Sequence, residues 1–369
     1  MAMRTLLSSV AAGLLLMALG GRCDDVGNGG FAVVAYLPEY RYEGANWEEI
    51  AARTSHIILF SLEINGGTGD ITAKDRIPRD ILMDEAREAA KRHGTKLLIC
   101  FGGNGRSQGF SGMVAHPGRR KRFVKSLVQL IDDYKLDGVD YNWEYPGYIM
   151  GRGYRSEKEI RLEYEAFGKL VAETRAAFDS ALRPLSLTLA YYPDGRQEKL
   201  LAQVSKAVDH VDYFHAMAYD QGGKHSTMEL FERSIENGKK HFPPHKLTVG
   251  VPFYGRSLTT GEAISFEDIV KKAAVDSDES RNQADGFWFN GRQLIARKTT
   301  KGIEQNIGGV MIWEVAQDCR IAPVNHIDGS GHVQTCPRGE KSSLLGAIDK
   351  VVVEAKRKMN TIHHHQQEL

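Results

Sequence analysis

Hydrophobic positions along the chain follow two periods in alternation. Short runs rich in β-branched and aromatic residues recur at FAVVAYLPEY from Phe31, HIILFSLEI from His56, KLLICFGG from Lys96 and LDGVDYNWEY from Leu136. They continue at LSLTLAYYP from Leu185, VDYFHAMAYD from Val211, KLTVGVPFYG from Lys246 and GGVMIWEVAQD from Gly308. Their lengths and their Gly, Pro and Asp boundaries predict eight strands. Between them lie stretches of helical period. In RRKRFVKSLVQLIDDYK, Phe123, Leu127, Leu130 and Tyr134 share one stripe with charges opposite. EKEIRLEYEAFGKLVAETRAAFD is a second amphipathic stretch, and SLLGAIDKVVVEAKRKM closes the series as a final helix.

Strands separated by helices call for a parallel sheet with right-handed crossovers. Eight such units fit an α/β fold of the closed (β/α)8 TIM-barrel type, spanning 27–358. The alternative from pattern alone is an open doubly wound sheet. No Gly-rich dinucleotide fingerprint follows the first strand, and FGGNG lacks the later elements of a phosphate cradle. The interval 257–306, between the seventh and eighth strands, holds about two helical segments and is expected to be only a short insertion. The Gly/Pro-rich stretch 320–342 reads as an excursion before the last helix.

Polar and aromatic residues collect where the strands end. They are Tyr36 with Glu39, Glu63, Gly102 with Gly103, Glu144, Tyr192 with Asp194, Tyr219 with Asp220, Tyr254 with Arg256, and Trp313 with Glu314. The C-terminal ends of barrel strands form the active face of this architecture, so the clustering points to one shared site. The densest part is LDGVDYNWEYPG, with Asp137, Asp140 and Glu144 on one strand and Asn142 among them. Strand alternation sends Gly138, Asp140, Asn142 and Glu144 into the barrel, and Val139, Tyr141 and Trp143 toward the helices. Asp137 breaks the alternation and is expected at the strand's start or in a bend. Burial and the neighbouring Asp140 should both hold Glu144 protonated, as a general acid near neutral pH requires. The competing reading is a buried polar network that only holds the barrel, but burying several carboxylates for structure alone is costly.

Charge adds little to this picture: 48 basic and 47 acidic residues give a net charge of +1 over 369 residues, so no field draws in nucleic acid. The N-terminal MAMRTLLSSVAAGLLLMALGGRC has one Arg, an apolar stretch and then small residues. It reads as a signal peptide over 1–21, too short and weakly flanked for a membrane anchor. No later stretch reaches the roughly 18 apolar residues of a span, so no stable membrane insertion is expected. Export to an oxidising, extracellular space is the expectation. The final QQEL distantly resembles an ER-retention signal but departs at the acidic position before Glu368, leaving the ER lumen as the alternative location. Among four cysteines, Cys319 and Cys336 are close enough in sequence to close one loop, and Cys100 reads as a buried strand thiol. No N-glycosylation sequon is present. The tail 359–369 is polar and expected to be disordered.

DGVDYNWEYPG resembles the signature of the family 18 glycoside hydrolases, the chitinase family, whose usual form is Asp-x-x-Asp-x-Asp-x-Glu. Asp137, Asp140 and Glu144 match it, and Asn142 stands where the family usually has Asp. KLLICFGGNG resembles the family's third strand, with Cys100 in place of a usual Ser and with Gly102 and Gly103 as supporting residues. MAYD from Met217, GVPFYGR from Gly250 and GGVMIWEVAQD from Gly308 are similar to its sixth, seventh and eighth strand motifs.

The resemblance implies retaining hydrolysis of β-1,4-linked N-acetylglucosamine polymers or oligomers, with the substrate's own acetamido oxygen as nucleophile. Glu144 would be the acid and base, residue 142 would hold the acetamido N–H, and Asp140 would tune residue 142. Tyr219 would bond the acetamido oxygen, Met217 and Asp220 would line the same pocket, and Trp313 would floor it with Tyr36 beneath. Tyr145 and Arg256 complete the implied substrate-binding set. Met217 and Trp313 each also have a plain core reading. Asn142 removes a charge that would stabilise the oxazolinium intermediate and a like charge beside Glu144, so a slower enzyme with a more acidic pH profile is expected. The implied partner is chitin or an N-acetylglucosamine-containing oligosaccharide; no cofactor, metal or protein partner is implied. Two alternatives stay open: a weak or inactive chitooligosaccharide-binding, lectin-like protein, and an endo-β-N-acetylglucosaminidase acting on N-glycans. The short interval before the eighth strand implies a shallow, open cleft.

Overall fold

The computed structural model describes residues 30–273, 280–323 and 332–367; the expected signal peptide over 1–21 lies outside them. Eight parallel strands run as β1 (Ala32–Pro38), β2 (His56–Ile64), β3 (Lys96–Gly102), β4 (Gly138–Asn142), β5 (Ser186–Tyr191), β6 (Tyr213–Ala216), β7 (Leu247–Pro252) and β8 (Gly309–Trp313). Their hydrogen-bonded order is β1-β8-β7-β6-β5-β4-β3-β2, and β2 pairs back onto β1. That closure makes a (β/α)8 barrel and excludes the open sheet. A helix follows each strand: α1 (Trp47–Arg53), α2 (Asp80–His93), α3 (Pro117–Tyr134), α4 (Glu157–Asp179), α5 (Arg196–Gln203), α6 (Met228–Lys239), α7 (Arg292–Glu304) and α8 (Leu344–Gln367).

Local chemistry sets the helix starts. Pro117 opens α3 in the first turn, where its missing N–H costs nothing. Ser156 and Glu159 form a capping box that starts α4, the helix that follows the carboxylate strand. The stripe Phe123, Leu127 and Leu130 of α3 is buried against the outside of the barrel.

Strand alternation divides the apolar residues into two clusters. The larger lies between barrel and helices; the smaller fills the barrel and includes Tyr36, Phe60, Cys100, Met217, Tyr219 and Met311. Trp143 belongs to the outer cluster, its ring stacked 5.2 Å from Phe110.

The segment after β7 is richer than its pattern suggests. The apolar run from Lys246 breaks at Phe253, and Tyr254–Ser257 leaves the barrel to pair with Ala263–Ser265 and Phe287–Trp288. Gln283–Ala284 completes a small antiparallel sheet beside the short helix Phe266–Ala273. The insertion thus holds the two helical segments expected and a sheet that was not. Strands of two to four residues are too short to show an alternation.

Cys319 and Cys336 are disulfide-bonded, and Cys100 is buried with no disulfide partner among the described residues. The tail expectation is corrected: α8 continues through Gln367, because adding residues to an established helix is far easier than nucleating one. Among the described residues, no helix is long and apolar enough to cross a membrane.

Candidate active site

The site is built on β4. Gly138 has no room for a Cβ, because the Ser186 carbonyl of β5 would lie 2.0 Å from it. Asp137 sits just before the strand. Its carboxylate accepts the Leu97 backbone N–H at 2.8 Å and pairs with Arg183 at 3.2 Å, locking β4 against β3. It therefore supports the strand and does not enter the barrel.

Asp140 is fully buried inside the barrel. Tyr36 Oη and Thr188 Oγ1 each donate to it at 2.8 Å, and the Cys100 thiol is a third partner. Burial raises its pKa to about 6 against those lowering bonds. Buried His215 stands 3.9 Å away and is held near a pKa of 3 by desolvation, so it stays neutral.

Asn142 is buried next along the strand. Its side chain hydrogen-bonds Glu144, while its Oδ1 is buried with no hydrogen-bond partner among the described residues. An unpaired buried acceptor is costly, and it marks a place where a donor from outside would be stabilised.

Glu144 is partly buried just past the strand end. Burial raises its carboxyl to about pKa 7; the Asn142 side chain and the Asn104 backbone lower it, and the charge of Asp220 raises it. The expected neighbour was Asp140. The structure substitutes Asp220, because Asp140 is turned into its own bonds with Tyr36 and Thr188.

The β3 exit loop fixes this arrangement. Gly102 and Gly103 have φ near 98° and 99°, and a Cβ on them would meet the Asn142 carbonyl at 2.3 Å and the Phe60 ring at 2.2 Å. Only glycine lets the loop close onto β4 there. The Gly103 N–H donates to the Asn142 carbonyl at 2.6 Å. Ser107 accepts the Glu144 backbone N–H at 3.1 Å and bonds the carbonyls of Gly103 and Asn142. Sequence reasoning missed Ser107; its only signal was a hydroxyl residue shortly after FGGNG.

The remaining candidates ring this centre. Trp313 is partly buried, its ring 5.6 Å from Tyr36 and 4.7 Å from Phe60, giving an aromatic floor. Phe60 is a second residue that sequence reasoning missed, since it reads as ordinary core. Tyr219 is buried with its hydroxyl toward the Met311 sulfur at 3.7 Å, and Met217 lies in the same inner cluster. Asp220, with φ 63°, accepts from Tyr254 at 2.7 Å and from Arg256 at 2.8 Å. Arg256 thus holds Asp220 while also donating to the Gly261 carbonyl. Tyr145, beside Glu144, is partly buried with its ring 6.4 Å from Tyr192.

Four polar strand-end residues do not join the site. Glu39 pairs with Arg106 and Glu63 with Arg76, Asp194 caps the start of α5, and Glu314 is buried against Arg41 and the Ala316 N–H. Among the described residues no group of His, Cys, Asp and Glu has metal-site geometry.

A proton donor near pKa 7, an unpaired acceptor beside it and an aromatic floor can together protonate a leaving oxygen and hold an N–H-bearing substituent. Known proteins share the frame. The chain is 26% identical over 265 residues to an endochitinase of Manduca sexta, covering 64% of this chain and 47% of the relative. It is 31% identical over 211 residues to chitotriosidase-1 of Mus musculus, covering 49% and 43%. The chain spans about half the length of the curated relatives it matches. A family 18 chitinase of Flavobacterium johnsoniae superposes with a TM-score of 0.67 at 23% identity, covering 89% of this chain and 96% of that one. Catalytic domain 2 of an Ostrinia furnacalis Group II chitinase gives 0.69 at 21%, covering 88% and 97%, and a variant of that domain was solved with (NAG)5 bound. The family model "Glycosyl hydrolases family 18" matches residues 32–318, from the start of β1 to just past β8 and including every site residue described above. The chain belongs to that family.

Proposed function

We propose that this chain hydrolyses β-1,4-linked N-acetylglucosamine polymers or oligomers with retention, using the substrate's acetamido group as nucleophile. The observation that carries this reading is the pairing of Glu144, raised to about pKa 7, with the unpartnered buried Oδ1 of Asn142 beside it. Ordinary retaining glycosidases place a second carboxylate as nucleophile. Asn142 occupies the neighbouring inward position, and its amide is a poor nucleophile, which favours one supplied by the substrate.

Glu144 gives its proton to the leaving oxygen as the acetamido oxygen bonds to the anomeric carbon. The sugar becomes a bicyclic oxazolinium and the C–O bond to the leaving group breaks. Asn142 Oδ1 accepts the acetamido N–H, and the Tyr219 hydroxyl turns from Met311 to the acetamido oxygen. Glu144, now ionised, takes a proton from water, which opens the oxazolinium with net retention. Trp313 presents an apolar face to the sugar. Asn142 supplies no negative charge to the cationic intermediate, so the loss falls on the chemical step more than on binding.

Asn142 also favours a second reading, a site that binds chitooligosaccharides and turns them over weakly or not at all. Incubating the protein with N-acetylglucosamine tetramer to hexamer, beside Glu144→Gln, and weighing products by mass spectrometry separates the two. Products that vanish in the variant support the hydrolase. Bound but intact oligomers support the binding protein, and neither binding nor cleavage removes both readings. Extracellular residence, argued from the N-terminal sequence, is part of the same proposal; secretion of the full chain from an expressing cell tests it, and retention inside the cell contradicts it.

A further inference from the structure

The connection from β4 to α4 carries an aromatic feature that the chemistry above does not use. Tyr148–Ile149 and Gly153–Tyr154 pair as a small hairpin directly beyond Glu144 and Tyr145. Tyr148 is 38% exposed, Met150 52% and Tyr154 50%, so these side chains are not there to fill a core. Their rings continue a series that begins at the site. Tyr192 and Tyr145 are 6.4 Å apart, Tyr145 and Tyr148 6.4 Å, and Tyr148 and Tyr154 5.1 Å.

The hairpin is braced. Its base is closed by Arg155 N–H to the Gly147 carbonyl at 2.7 Å and by Gly147 N–H to Glu163 at 2.5 Å. Arg196 lies 5.5 Å over the Tyr154 ring, covering one face. Hairpin residues and Glu144 line one cavity of about 160 Å³, whose wall also includes Gln108, Arg155 and Glu163 beside Tyr148 and Met150.

Exposed rings beside carboxylate, amide and guanidinium groups suit a ligand with apolar faces and a hydroxylated rim, which is the chemistry of a pyranose. We propose that the hairpin Tyr148–Tyr154, with the cavity it helps to line, is a saccharide-binding ledge that takes sugar units of the substrate beyond the bond being cleaved. It rests on the proposed function, since the ring series starts at the site of cleavage. The ledge makes affinity depend on chain length.

The test uses the full chain carrying Glu144→Gln, so that binding is read without turnover, and titrates N-acetylglucosamine dimer and hexamer by calorimetry. The ledge is removed with Tyr148→Ala, Tyr154→Ala and both together, and melting temperatures confirm folding. The expected result is a hexamer Kd raised about tenfold by the double variant, with a dimer Kd raised less than about twofold. Hexamer binding that survives both changes undiminished overturns the ledge and leaves the proposed function standing. Equal weakening of dimer and hexamer also overturns it, placing the tyrosines in the central site. Failure of the parent to bind any oligomer overturns the proposed function and the ledge with it.

Discussion

Glu144 is where structure and reactivity meet most directly. Its carboxyl titrates near 4.5 in an unfolded chain and near 7 in the folded one. Between those values the folded protein keeps a proton that the unfolded chain has released. Stability therefore falls as pH rises through that window, and the penalty is fully present above about pH 7. Glu144→Gln removes the titration. The variant is expected to be more stable than the parent by about 1–3 kcal/mol at pH 8, and little different at pH 4, by denaturant melts. The same change is expected to lower turnover by at least about a hundredfold. A variant that melts earlier than the parent at pH 8 contradicts the assignment of burial as the dominant cause. The parent's turnover is expected to fall off above about pH 7, where the acid is lost.

At the scale of elements, the β3 exit loop and the β6 exit carry the site. Gly103→Ala would drive a methyl into the Phe60 ring and disturb the bond to the Asn142 carbonyl. It is expected to cost about 2 kcal/mol or more in chemical denaturation, and to lower kcat with it. The β6 exit is held from behind by a buried lysine. Lys298 donates to Ser226 Oγ at 2.8 Å and Asn290 Oδ1 at 2.6 Å, and Ser226 donates to the Ala218 carbonyl between Met217 and Tyr219. Lys298→Met leaves those acceptors unpaired and is expected to destabilise by about 1–3 kcal/mol; an unchanged melt would contradict the strut.

How far these elements could be read from sequence follows from their length. The eight strands and α3, α4 and α8 carry enough periodic positions to be seen, and β4 showed its two faces because polar and apolar residues alternate strictly from Asp140 to Glu144. The insertion sheet and the Tyr148–Tyr154 hairpin have strands of two to four residues, below the length at which alternation has meaning. The partners of Asp140 come from β1, β3 and β5, distant in sequence and adjacent only once the barrel closes. For the same reason Asp220, on the β6 exit, was not foreseen as the charge nearest to Glu144 in effect.

For the whole molecule, barrel closure brings all eight strand ends to one face, and the insertion after β7 adds only a small sheet and helix beside it. An insertion of that size is expected to leave one wall of the cleft low. Such a cleft favours internal cuts over threading of a chain end. Hexamer is expected to yield dimer, trimer and tetramer together at early times, by timed product analysis. Exclusive stepwise release of dimer would contradict an open cleft.

In the proposed mechanism a complete acid, Glu144, works beside a stabiliser that Asn142 leaves uncharged. Single-turnover hydrolysis of the hexamer by the parent and by Asn142→Asp tests it most directly. The expected result is a rate constant about 10- to 100-fold higher in the variant, with the alkaline limb moved to higher pH by the added like charge. Binding should change far less than the rate. An unchanged or lower rate in the variant, or no turnover by either protein, would contradict it.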